Sequence, residues 1–187
     1  MNNKKSLLLA FVLLLVVAAL YRIIPSRPFG FAPQIAMAVF AGAIIRDKKW
    51  AFALPLFSMF LSDLLYHSLY MAGIGITPGF YNGQFTNYVL FGLLTVVGFF
   101  IRKVNLIQVG VASLVAPTLY FLLSNFAVWM FGGGWGHPKT FGGLMMTYAD
   151  GIPFYQGNLM ATVVFGVVLF GGYYLLKGKQ IEKIEMA

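Results

Sequence analysis

The chain has 187 residues, of which 60% are hydrophobic, 10% are charged and none is cysteine; its formal net charge is +8. Soluble domains carry roughly 25% charged residues, so a soluble globular protein is excluded and an integral membrane protein is indicated. Disulfides and thiolate metal sites are excluded too, and an excess of Lys and Arg in such a chain reports orientation rather than a nucleic-acid partner.

The length admits about six spans of about 20 residues with short connections. The expectation is a single all-α membrane domain over residues 1–187. The first apolar run covers residues 6–24 behind Lys4 and Lys5. It is long for a signal-peptide core and no small-x-small cleavage site follows, so it reads as an uncleaved span. PSRPFGFAP then breaks the helix.

The second span, over residues 31–45, is short and broken. Its helical part, Gln34 to Ile45, covers only about 18 Å of a hydrocarbon core about 30 Å thick. It must begin in non-helical backbone, lie buried among neighbours, or draw in Phe29 to Pro33. Ala36, Ala38, Ala41, Gly42 and Ala43 crowd it. Such small faces allow close helix packing, here internal in preference to a contact with another membrane subunit.

Spans three, four and five are expected at 50–71, 88–101 and 106–131, and the sixth at 159–176. Between the last two lies a long segment that is neither a span nor an ordinary loop. Pro138 precedes an apolar body and Gly-Ile-Pro follows it. That pattern predicts a short lid-like helix from Lys139 to Ala149, about 16 Å long, between a Pro start and a Gly end.

Basic residues fix the expected orientation. Ten fall on one side: Lys4, Lys5, Arg46, Lys48, Lys49, Arg102, Lys103, Lys177, Lys179 and Lys183; three fall on the other: Arg22, Arg27 and Lys139. With both termini cytoplasmic the asymmetry obeys the positive-inside rule.

Polar residues without that explanation gather toward the outer side. In the third span Asp63, Tyr66, His67 and Tyr70 are spaced i, i+3, i+4, i+7, which predicts one stripe on one helix face. An ionised Asp in mid-membrane costs at least about 2.5 to 3.5 kcal/mol, so the stripe is expected to face the interior or a wet cavity. Asp63 can pair with His67 or with Arg22. Asn125 and Trp129 share a face of the fifth span. Asn87, Trp135, His137, Lys139, Tyr148 and Asp150 complete the candidate substrate-binding set.

Several chemistries lack their residues. There is no GxxxxGK[ST] loop, so the chain is not an ATPase of that class. HExxH and GxSxG are also missing. The two His residues lie seventy positions apart, a poor metal site, and no cofactor is indicated. Asp63 and His67 could act as acid and base, but no nucleophile accompanies them, so the chain reads as a non-enzyme.

FAPQIAMAVFAGA, SNFAVW, HPKTFGGL and a stretch ending in IPF together resemble a family of uncharacterised bacterial six-span membrane proteins (DUF6580-like), from about Pro25 to Gly172. That family is similar in size, span count and short second span to the S components of energy-coupling-factor vitamin transporters. The resemblance implies a substrate-binding subunit of a micronutrient importer in a bacterial inner membrane. Its coupling subunit and ATPases would be supplied by other chains. The alternatives are an accessory subunit of a larger membrane complex and a small proton-coupled carrier using Asp63 and His67.

Overall fold

The computed structural model describes residues 3–24, 26–75, 78–132 and 136–177, with side chains from residue 12 to residue 175. Six helices follow in chain order: α1 (Asn3–Arg22), α2 (Gln34–Ile44), α3 (Lys48–Met71), α4 (Gln84–Phe99), α5 (Leu106–Phe131) and α6 (Phe141–Lys177). Three of them, α3, α5 and α6, are long and apolar enough to cross a membrane.

The short α2 is the centre of the bundle. It packs against α3, α4, α5 and α6, and all eleven of its residues are buried. A helix apolar all round belongs in such a place. At about 17 Å it cannot reach across hydrocarbon, and its neighbours spare it from doing so. Its small residues face the protein's own interior. A Cβ on Gly42 would collide with the Thr95 carbonyl oxygen and lie 3.0 Å from the Gly98 Cα, so α2 and α4 meet backbone to backbone. Ile35, Val39, Ile44, Met59 and Leu94 fill the core around that crossing.

The outer helices are apolar on the far side too. Val111, Leu114, Val115 and Leu122 of α5 are exposed, as are Val163, Val164, Val167 and Val168 of α6. Exposed apolar surface on this scale suits lipid rather than water.

Consecutive helices alternate in direction. At one end Lys48 Nζ sits 5.8 Å from the Phe99 ring centre and Phe52 meets Phe99 edge-on at 5.6 Å, joining the start of α3 to the end of α4. The turn from α4 to α5 is tied at the same end. Asn105 caps α5 by accepting from the Gln108 N–H at 2.9 Å, and Gln108 Oε1 accepts from the N–H groups of Arg102 and Lys103 at 2.9 and 3.0 Å. The other end collects the end of α1, the starts of α2 and α4, and the polar parts of α3, α5 and α6.

Two expectations are corrected. The fourth helix starts at Gln84, one turn before Tyr88. The lid-like helix is not a separate element, since residues 141–177 form one helix of 37 residues running through Pro153. Among the described residues there are thus six helices, one fewer than six spans and a separate lid. Gly151-Ile152-Pro153 does not stop α6 because neighbouring chain packs onto its glycines. A Cβ on Gly151 would strike the Asn125 side chain, and one on Gly157 would strike the Phe29 carbonyl. Pro153 only removes the hydrogen bond to the Ala149 carbonyl, a loss that membrane helices tolerate.

Candidate functional site: a polar cavity at one end of the bundle

The buried face of α3 carries Ala51, Leu54, Pro55, Ser58, Met59, Ser62 and Asp63, a spacing of three and four that keeps them on one stripe. Asp63 is only 2% exposed. Its partner is Arg22, in the last turn of α1, whose Nη1 forms an ion pair with Asp63 Oδ1. The same nitrogen donates to Ser62 Oγ at 2.5 Å and to the Met59 carbonyl at 3.3 Å. Asp63 Oδ2 accepts from Gln84 Nε2 at 2.5 Å and from the Tyr88 hydroxyl at 2.7 Å. A buried carboxylate is tolerable when it is paired and its oxygens are hydrogen-bonded, and both conditions hold here.

The expected stripe on α3 divides at this point. Tyr66 turns inward and donates to the Arg22 carbonyl at 2.7 Å. His67 and Tyr70 are exposed. His67 does not pair with Asp63; its ring meets Phe80 edge-on at 5.4 Å. The reason is the length of α1, which ends at Arg22 beside Met59, Ser62 and Tyr66. Beyond that level α3 continues without α1 against it.

A cavity of about 800 Å³ opens between these ends. Arg22 and Arg27 line it with Gln34, Tyr66, Tyr81 and Asn87, and Phe91, Tyr120, Phe121, Phe154 and Tyr155 supply aromatic surface. Asn87 Nδ2 donates to the Tyr81 hydroxyl at 2.5 Å and Asn87 Oδ1 accepts from the Tyr120 hydroxyl at 3.1 Å. Arg27 Nε donates to the Arg22 carbonyl at 2.8 Å. Gln34, 3% exposed, donates through Nε2 to the Ala18 carbonyl at 3.2 Å, while its Oε1 has no partner among the described residues.

A second cavity, about 160 Å³, adjoins the first and shares Asn125, Val128, Gly151 and Phe154 with it. Trp129, His137, Lys139 and Asp150 line this smaller space. His137 Nε2 lies 2.6 Å from Asp150 Oδ2. Lys139 stands over the Trp129 ring at 5.5 Å, and Trp129 Nε1 donates to the Pro138 carbonyl at 3.0 Å.

The predicted residues therefore separate into groups. Tyr66, Asn87 and Asn125 line the large cavity, and Trp129, His137, Lys139 and Asp150 the small one, with Asn125 in both. Tyr148 lines neither; its hydroxyl donates to the Leu122 carbonyl at 3.0 Å. Asp63, His67 and Tyr70 line neither. Trp135 lies outside the described residues. Sequence reading left Arg27, Gln34 and Tyr120 out of the candidate set. Gln34 had a signal, being the one polar side chain of α2.

Such a molecule is an all-helical bundle with three helices long and apolar enough to cross a membrane and a polar cavity at one end. More narrowly, its sequence matches DUF6580, a family of unknown function, over residues 2–184, and the chain belongs to that family. No curated protein and no solved structure matches it.

Proposed function

We propose that this chain is the solute-binding membrane subunit of a vitamin-type importer. It spans a bacterial inner membrane six times with both termini cytoplasmic, and its cavity faces outward. It carries no enzymatic activity; a coupling subunit and ATPases come from other chains. The observation that carries this reading is the cavity of about 800 Å³, within the size range of small-molecule pockets. An accessory subunit needs a packed interior instead. A proton carrier using Asp63 and His67 finds less support, because Asp63 is held by Arg22, Gln84 and Tyr88 and His67 stands apart.

The test is extraction of small molecules from the detergent-purified protein, compared with Ser124→Phe. Ser124 lines the cavity, and a Phe there occupies it. Wild-type protein is expected to release a stoichiometric solute, and a folded Ser124→Phe variant none. Wild-type protein that neither carries nor takes up any solute overturns the reading.

A further inference from the structure

The geometry points to a small organic anion with an apolar, ring-sized body as the solute of the large cavity. This rests on the solute-binding reading above and narrows it to a chemical class. Among the described residues the lining contains two arginines and no Asp or Glu. The two are not equivalent. Arg22 is neutralised by Asp63, which stands behind it and does not line the space. Arg27 has no acidic partner among the described residues. Only its Nε is engaged, on the Arg22 carbonyl, so both terminal nitrogens have no hydrogen-bond partner among the described residues. A half-buried guanidinium with its paired donors unused matches a carboxylate or phosphate, which it can hold bidentately.

One further group agrees. The Tyr81 hydroxyl accepts from Asn87 and donates to no described residue, which leaves its proton for an anion. Phe91, Tyr120, Phe121, Phe154 and Tyr155 offer ring faces and edges for the apolar body beside that charged end.

The test uses the full chain in a neutral maltoside detergent. Binding is measured by calorimetry for matched pairs of an acid and its primary amide: biotin and biotinamide, nicotinate and nicotinamide, indole-3-acetate and indole-3-acetamide. At least one acid is expected to bind while its amide binds about tenfold more weakly or not at all. Arg27→Gln is expected to erase that preference without altering unfolding of the empty protein, since a Gln amide can still reach the Arg22 carbonyl. Tyr81→Phe, which removes one hydroxyl, is expected to weaken the acid alone. Equal binding of acids and amides, unchanged by Arg27→Gln, overturns the anion and leaves solute binding standing. Binding of no member of either series overturns both. Phosphatidylglycerol is added in a separate arm. Displacement of the acid by this lipid, with tighter lipid binding, identifies the anion as a headgroup and overturns the soluble solute.

Discussion

Gly157 of α6 and Phe29 of the segment between α1 and α2 meet backbone to backbone. A Cβ at residue 157 would fall inside the Phe29 carbonyl and lie 3.1 Å from the Phe31 nitrogen. The contact is reciprocal, because a Cβ on Gly30, which has φ +70°, would fall inside the Phe154 carbonyl. The non-helical entry to α2 is thus clamped onto α6, with the Phe29 and Phe154 rings 5.3 Å apart beside it.

Gly157→Ala is therefore expected to lower stability by about 1–3 kcal/mol, the usual cost of overpacking. Thermal unfolding in detergent reads this directly. Gly171→Ala on the same helix is the control. Its Cβ meets nothing within 4 Å, so a small gain from helix propensity is expected. Equal effects at both positions would show that the clamp contributes nothing.

Asp63→Asn is expected to destabilise by about 3–5 kcal/mol, because it leaves the Arg22 guanidinium part-buried without its counter-charge. The double variant Arg22→Gln with Asp63→Asn should recover part of the loss. A double-mutant cycle on unfolding free energies measures the coupling. Additive losses would mean that the two side chains act independently.

His67→Gln is expected to change stability by less than about 0.5 kcal/mol, as exposed positions usually do, and to leave solute uptake at the wild-type level. An uptake loss in the folded variant would restore the proton-carrier alternative.

The sequence contains no cysteine, which makes single-cysteine labelling clean. Thr140→Cys and Lys103→Cys are both at exposed positions and belong to opposite ends of the bundle. Impermeant maleimide on intact cells is expected to label residue 140 and spare residue 103. Labelling of residue 103 alone would invert the orientation.

The apolar runs were legible from composition, and three of them are helices long and apolar enough to cross a membrane. The bounds read for α5, residues 106–131, are those observed. Burial of α2 was one of the three readings its length allowed. What stayed hidden depends on neighbours. Gly-Ile-Pro has the composition of a helix stop, and only the Asn125 and Phe29 contacts turn it into a docking surface. Gln84 resembled a loop residue, although its i, i+4 spacing with Tyr88 places two donors on one face, and both reach Asp63. Spacing grouped His67 and Tyr70 with Asp63, and the end of α1 at Arg22 separates them. Tyr66, Asn87 and Asn125, grouped in the sequence because no basic anchor explains them, share one cavity. Arg27 was counted only as a topological charge.

The Arg22–Asp63 pair also sets an order of events during synthesis. Arg22 is made 41 residues ahead of Asp63, so the first helix is synthesised before its counter-charge exists. A lone guanidinium near a helix end can wait at the headgroups, with its stem along the apolar helix. It can settle against Met59 and Ser62 only once α3 has arrived. The seating of the first helix is thus finished by the third, and until α3 is made the guanidinium has no counter-charge.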